Sequence, residues 1–381
     1  MMLGTGIQLT LLAGPTVPIP APRALMEALE SVEVSRNATS RSGFQLVFKV
    51  ARATGVEAAA QHLVAQRLLA AFNRLILMVT LGGRPSVLID GLITNRQLKP
   101  GEIPGESHLT ITGEDIAMVM GREEKQRTHP GQDMTIIVTK LIGEYARYGL
   151  IPLVIPPVYL DAPNPAERVT TQQDTDLAYI EKLAKQVGHI FCIKPGPAPG
   201  TNVAYWGPPG MSEPPQPALS VNLGSHTNVE SMDFEQDSTR PSIVMAEIID
   251  PGTNITFPVP IFGSVLPALS ANPPWEGGSQ MLATRKLNLS GATLTQALGR
   301  AQGIVDQSMR GVVKASGALD VARYGRLLEP NGVVGVRGTG HGYDGLYYVD
   351  SVTHKIKRGE YKQDFKLTRE GLGSSVERVP V

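Results

Sequence analysis

The run Gly345-Leu346-Tyr347-Tyr348-Val349-Asp350-Ser351-Val352-Thr353-His354 is followed, after a turn at Arg358-Gly359, by Gly359-Glu360-Tyr361-Lys362-Gln363-Asp364-Phe365-Lys366-Leu367-Thr368-Arg369. Aromatic and β-branched residues alternate here with polar ones, the pattern of a half-buried strand. Two such runs around an Arg-Gly turn predict a β-hairpin. The spacing puts Val349 on one strand face with Tyr347, and Phe365 with Leu367 on one face of the partner. Tyr361 can then pack across the pair.

Working outward, Ile7 to Leu12 and Ser31 to Val50 are β-like, most clearly where Phe44, Leu46, Phe48 and Val50 alternate with Gln45, Val47 and Lys49. Arg23 to Glu30 is short and helix-prone, and Gly55 to Asn73 has the Ala, Leu and Gln content and apolar spacing of an amphipathic helix. Leu75 to Leu81, Gly82-Gly83 and Ser86 to Thr94 predict a second hairpin, with a further strand at Ser107 to Thr112. Residues 1–115 thus form a β-domain with an inserted helix. Gly121 to Gly131 is charged and apolar-poor, as in a linker. Amphipathic helices follow over Asp133 to Arg147 and Asp174 to Val187, then strands at Ile190 to Lys194 and Asn202 to Trp206, so 122–210 is a small α+β domain. Strands return over 218–250, with Ile243 to Ile249 the clearest. Six prolines between 251 and 279 erase periodicity, so 251–309 reads as an extended loop and a connecting helix, Leu294 to Met309. Strands at Gly311 to Ser316 and Gly332 to Arg337 lead into the hairpin. A second β-domain is therefore discontinuous, 218–250 with 310–370, before a tail at 371–381.

At 381 residues the chain calls for several compact domains. Its 35 basic and 35 acidic residues cancel, which removes any global field for nucleic acid or an anionic membrane, and the one local basic cluster, Lys355 to Arg358, lies in a turn. No stretch approaches the roughly 18 to 20 apolar residues of a membrane span. Met1 to Pro20 lacks the positive flank of a signal peptide and is broken by prolines. The single cysteine, Cys192, precludes an internal disulfide framework and fits folding in a reducing cytoplasm.

Catalytic patterns are missing from the sequence. There is no GxSxG elbow and no HExxH, and the seven histidines (62, 108, 129, 189, 226, 341 and 354) are scattered. The carboxylate pair Asp174/Asp176 sits at a helix start, where capping accounts for it, and Glu123/Glu124 falls in the charged linker. Gly338-Thr339-Gly340-His341-Gly342-Tyr343-Asp344-Gly345 looks like a phosphate loop but leads into a strand, whereas a dinucleotide loop must open a helix. It reads as a hairpin tip. No catalytic residue, cofactor or metal is expected.

The hairpin resembles the closing signature of the contractile-tail hub family, the late-control-protein-D type shared by myophage hubs, type VI secretion spikes and extracellular injection systems. In that family G-x-Y-x-V-x-x-V-x-H precedes Y-x-x-x-F-x-x-x-R, matched here by Gly345, Tyr347, Val349, Val352, His354, Tyr361, Phe365 and Arg369. Thr171 to Gly188 with Phe191, Asn222 to Phe234, and Val87 to Asp115 are similar to further family segments, so the likeness spans nearly the whole chain.

The resemblance implies an α+β, mostly β fold with two tube-like β-barrel domains plus the small α+β domain, and a homotrimer forming a pseudo-sixfold ring. It implies a structural, non-enzymatic baseplate hub joining the tail tube ring to a separately encoded central spike, beside other baseplate proteins. Such a chain is assembled in the bacterial cytoplasm and becomes part of a virion tail or injection particle. Spike-fused relatives continue into an OB-fold and β-helix, and only Gly371 to Val381 remains here. The alternatives are a tail-tip peptidoglycan hydrolase and a glycan- or receptor-binding module, the latter using 251–285 with Trp275.

Overall fold

The computed structural model describes residues 2–4, 6–15, 17–50, 66–102, 106–159, 169–249, 256–276, 282–289 and 293–376. Its N-terminal part holds β1 (Met2–Gly4), β2 (Ile7–Gly14), β3 (Ile19–Pro20), helix α1 (Arg23–Ala28), β4 (Leu29–Asn37), β5 (Gly43–Val50), β6 (Arg74–Leu81), β7 (Arg84–Lys99) and β8 (Ser107–Asp115). The middle holds β9 (Arg127–His129), α2 (Met134–Gly143), β10 (Leu150–Val154), β11 (Thr170–Gln172), α3 (Asp176–Gln186), β12 (Ile190–Pro195) and β13 (Asn202–Gly207). Next come β14 (Gln216–Ser220), β15 (Val229–Gln236), β16 (Ser242–Ile249), β17 (Thr256–Ile261), β18 (Ser270–Asn272), β19 (Ala283–Leu289) and α4 (Leu294–Met309). The last are β20 (Val313–Asp320), α5 (Val321–Tyr324), β21 (Val333–Arg337), β22 (Gly345–Lys357), β23 (Glu360–Arg369) and β24 (Leu372–Ser374).

One sheet runs through both ends of the chain in the order β1-β2-β6-β7-β8-β5-β4-β22-β23-β20-β15, with β21 on β22 and β14 on β21. It contains a repeat. The strands β2, β4, β5, β6, β7 and β8 lie in the order β2-β6-β7-β8-β5-β4, and β14, β15, β20, β21, β22 and β23 lie in the same permutation, β14-β21-β22-β23-β20-β15. Irregularities repeat with the strands. Register shifts fall at Leu29–Ser31 in β4 and Val229–Ser231 in β15, and at Ile93–Asn95 in β7 and Val349–Ser351 in β22. The units differ at their first strand, because β2 meets β6 antiparallel while β14 meets β21 parallel. Antiparallel pairing of β4 with β22 joins them edge to edge.

The expected hairpin is present, with Gly359 at φ 79° in its two-residue turn. In β23 the odd positions Tyr361, Gln363, Phe365, Leu367 and Arg369 are buried. β22 changes parity: Tyr347 and Val349 point inward, then Val352, His354 and Ile356 do so, because Asp350 is an extra residue bulged from the ladder. The family's V-x-x-V spacing is that bulge. A common core takes residues from both units, among them Leu46, Phe48, Leu77, Val349, Val352 and Phe365. Full burial of a side chain the size of Phe365 stabilises by roughly 2–3 kcal/mol.

Residues 122–210 form a layer in which α2 and α3 cover one face of the sheet β10-β13-β12, around Trp206, Ile180 and Leu141. The charged stretch 121–131 is not a free linker. Within it β9 pairs β11, and Lys125 and Arg127 form ion pairs with residues of α3 and the end of α2. The predicted helix from Asp133 stops at Gly143, with Asp133 Oδ1 accepting from Thr135 N and Ile136 N as its cap. Of the expected helix Gly55 to Asn73, residues 51–65 lie outside the described residues, and 66–68 are helical.

Two further readings need correction. The strand at 242–249, assigned with 218–250 to the second β-domain, leaves the large sheet and pairs antiparallel with β17 and parallel with β19. Its Ile243, Val244 and Ala246 pack on the small-residue face of α4, Ala297, Ala301 and Val305. The stretch read as an extended loop therefore supplies three strands, β17, β18 and β19, and Pro258 and Pro260 sit in the first of them because β17 is an edge. In the tail, β24 pairs β18.

Deleting Asp350 removes the bulge and turns Val352, His354 and Ile356 to the opposite face, so folded soluble protein should not be recovered. Asp350→Ala keeps the backbone and should stay within about 1 kcal/mol of the parent. Circular dichroism and urea unfolding of the two variants check this.

Candidate functional site at the C-terminal hairpin

Five of the eight signature positions fall into two buried clusters at opposite ends of the hairpin. At one end Arg369, fully buried, donates from Nη1 to the carbonyls of Asp344 (3.1 Å) and Gly373 (3.2 Å) and from Nη2 to that of Gly342 (2.5 Å). Its guanidinium lies 4.4 Å from the centroid of the Tyr347 ring, whose hydroxyl donates to Tyr343 O at 2.7 Å. Gly345 has φ 131°, and a Cβ there would stand 3.0 Å from Arg369 Nη1 and from Ser374 Cα. Gly345, Tyr347 and Arg369 thus fix the glycine-rich tip 338–344 between β21 and β22, as its reading as a hairpin tip predicts.

At the other end His354 Nδ1 is 2.8 Å from the Tyr361 hydroxyl and 3.4 Å from Gln363 Nε2. With both neighbours donating, Nδ1 accepts and the neutral ring carries its proton on Nε2. Gln363 bridges to a loop, accepting from Leu328 N (3.0 Å) and donating to Leu328 O (3.0 Å). Burial, with Arg36 nearby, pushes the His354 pKa down to about 3, and burial raises the Tyr361 phenol well above its usual range. Val349, Val352 and Phe365 are core residues between the two ends.

Beside His354, β4 and β22 are stitched by Ser35 Oγ and Thr353 Oγ1 at 3.1 Å, and Arg36 pairs with Glu329. Sequence reasoning missed this seam and the ties to the middle layer. Arg74 grips Asp90 through Nε (2.7 Å) and Nη2 (2.6 Å), and donates to Tyr148 O and Gly200 O, while Asn202 Nδ2 donates to Asp90 at 2.9 Å. Asp176 is not a helix cap. Thr175 caps α3, and buried Asp176 accepts from Lys125, Tyr145 (2.7 Å) and Gln172 (2.7 Å). Burial opposes its charge, yet those three hydrogen bonds hold its pKa below the usual carboxylate value. Asp174 lies 3.6 Å from Lys182 Nζ, so the two carboxylates serve separate structural ends.

A cleft of about 710 Å³ opens where the outer face of β15, β20 and β23 meets the ends of α3 and α4. Its lining mixes charges, with Asp233, Glu235, Lys314, Lys366, Lys185 and Arg310. Burial lowers His189, also in the lining, to about 4, so it is neutral at pH 7. Cys192 is buried nearby in the sheet, and its thiol is raised to about 11 by burial, a poor nucleophile. Among the described residues no group of three or more His, Cys, Asp or Glu side chains could hold a metal ion, and no helix is long and apolar enough to cross a membrane.

The fold of this chain is one also found in tail proteins of phage type. Among solved structures, a tail protein from Neisseria meningitidis MC58 shares it with a TM-score of 0.65 at 15% identity, over 97% of this chain and 98% of that one. The 43 kDa tail protein of prophage MuSo2 from Shewanella oneidensis matches with a TM-score of 0.64 at 14% identity, over 96% and 98%. The Escherichia coli protein c3393, a component of the type VI secretion system with structural similarity to the T4 tail proteins gp27 and gp5, matches with 0.54 at 13% identity, over 93% and 75%. No family model and no curated protein matches the sequence.

Arg369→Met removes the guanidinium donor from the carbonyls of Gly342, Asp344 and Gly373. It should destabilise by about 2–4 kcal/mol and speed amide exchange in the 338–344 tip, measured by hydrogen-exchange mass spectrometry. For His354 the sign follows from its depressed folded pKa. The unfolded ring binds protons below about 6.5 and the folded ring does not until about 3, so its contribution is present above 6.5 and lost as pH falls through that window. The slope is up to about 1.4 kcal/mol per pH unit. His354→Gln, which keeps an acceptor for Tyr361, lacks this loss, so the stability gap between parent and variant should narrow from pH 7 to pH 5 in urea titrations.

Proposed function

We propose that this chain is the non-enzymatic baseplate hub of a contractile phage-like tail or injection system. The observation that carries the reading is the repeat: two six-stranded units with one strand permutation, side by side in one sheet, within a fold shared with phage tail and type VI secretion proteins. A homotrimer of such chains presents six equivalent β-units, closing as a pair of tube-like barrels per subunit, so that a sixfold tube ring can sit on a threefold hub without a symmetry mismatch. The hub holds the central spike on its other side and templates the first tube ring. Its partners are met by strand pairing and apolar packing, beside other baseplate proteins. It is assembled in the bacterial cytoplasm and carried in the particle. The eight signature residues act structurally, by locking the hairpin from which the second unit is built.

Co-expression with the tube and spike proteins of the same system should yield a complex with three copies of this chain, visible as threefold particles about one tube diameter wide in electron micrographs. A chain that stays a folded monomer with both partners present would refute the reading.

A further inference from the structure

The strand repeat singles out two edges of the molecule, β15 and the second half of β7. Aligning the two units through their ladders makes β4 the counterpart of β15 and β7 the counterpart of β22. The two bulges set the register. Thr94 in β7 and Asp350 in β22 are the extra residues, so Asn95 corresponds to Ser351 and Lys99 to Lys355. Ser31 and Ser231 both follow their strand's early bulge, so Glu33 corresponds to Asp233 and Val34 to Phe234.

Inside the chain, β4 of the first unit pairs with the second half of β22. The complementary pair, β15 of the second unit with the second half of β7, has no counterpart within one chain. β15 ends the large sheet, and among the described residues 95–99 of β7 pair only with β8. Both are open edges of one sheet.

We propose that Asn95–Lys99 of one copy pairs antiparallel with Asp233–Asp237 of a second copy, repeating between chains the junction that β22 and β4 make within one. Transferring the internal register sets Lys99 opposite Asp233, Leu98 opposite Phe234, Gln97 opposite Glu235, Arg96 opposite Gln236 and Asn95 opposite Asp237. The chemistry agrees with the transfer. Lys355 faces Glu33 across the internal seam, and Lys99 faces Asp233 across the new one, the cation coming from the same strand of the unit each time. Neither Lys99 nor Asp233 has an ion pair among the described residues. His354 and Val34, opposite each other in the internal seam, are both fully buried, whereas at the equivalent positions Leu98 is 59% exposed and Phe234 is half-buried. A strand added in this register covers that exposed leucine. The joint is head to tail, the kind of contact that builds a ring when the rotation between copies closes. The choice of edges comes from the repeat, and the number of copies rests on the hub reading.

The test uses the oligomer formed by the full chain in its assembled complex. Lys99→Glu and Asp233→Lys, both at exposed positions and each checked for native circular dichroism, should each lower the assembled fraction at least tenfold, and the combined charge swap should recover it. Lys99→Cys with Asp233→Cys should cross-link neighbouring copies through a short bismaleimide, whereas Lys99→Cys with Glu230→Cys should not. Buried Cys192 adds little background. Intact trimers that show no link, or a swap that recovers nothing, overturn the pairing and leave the hub reading standing. Linked rings of another copy number support the pairing and overturn the threefold hub.

Discussion

The antiparallel ladder between Ser31–Asn37 and Ser351–Lys357 is the contact on which the rest of the molecule depends. Each strand set alone would end in a long unpaired edge at β4 or β22, a row of backbone donors and acceptors open to any passing strand. Pairing the two makes one sheet and one hydrophobic core, in which Leu46 and Phe48 of one unit share a cluster with Val352, Ile356 and Phe365 of the other. The hairpin signature is built around this ladder. The bulge at Asp350 lets one side of β22 serve two partners, since the residues before it pair with β21 and those after it with β4, while β23 pairs along the other side from Tyr348 to Lys357.

Buried charges do a different job from the core. Arg74–Asp90–Asn202 and Lys125–Asp176 join segments far apart in sequence, the Arg369 carbonyl cage ties the end of β23 to the neighbouring tip, and each is hydrogen-bonded on several sides. Desolvation takes back much of the Coulomb attraction of such pairs, so their net effect on stability is small, but a misplaced partner leaves a buried charge alone at a cost of several kcal/mol. They fix where the α+β layer and the glycine-rich tip sit on the sheet. The single cysteine and the scattered histidines are absorbed in the same way: Cys192 packs between layers, and His354 is held neutral within the ladder.

The sequence displays what is local. Alternation located β5, β6, β22 and β23, and the 3.6-residue period located α3 and α4 almost to the residue. The seam was not legible, because its strands are some 320 residues apart and either could have been paired or left open with the same pattern. The repeat was hidden by swapped volumes. In the first unit the Phe44 ring lies over Gly113, where a Cβ would come within 2.2 Å of it; in the second the large residue is on the other strand, and Phe365 lies over Gly317, with 2.7 Å to a Cβ. The two pairs sit two residues apart along the ladder, since Phe44 and Gly113 match Ala315 and Leu367 while Gly317 and Phe365 match Leu46 and Ile111, so no residue-by-residue likeness survives. Arg74, Asp90 and Asn202 are single polar residues inside apolar strands, a signal visible in the sequence, but their mutual contact needs the fold.

Prolines, abundant in this chain, mark which edges the molecule keeps closed. In β10 the bond from Ile155 N to Trp206 O and the one from Asn202 N to Gly149 O turn the odd-numbered residues toward β13, so Pro152 faces the open side. In β17 a proline has no donor for the ladder, so Phe257, Val259 and Ile261 carry the bonds to β16, and Pro258 and Pro260 present donorless positions outward. A strand arriving at either edge finds missing hydrogen bonds, which protects these small sheets from unwanted pairing. β15 and residues 95–99 of β7 contain no proline. They keep every donor of the ladder, as do their counterparts β4 and residues 351–357 of β22, which are already bonded to each other inside the chain, whereas β10 and β17 are borders closed to a further strand.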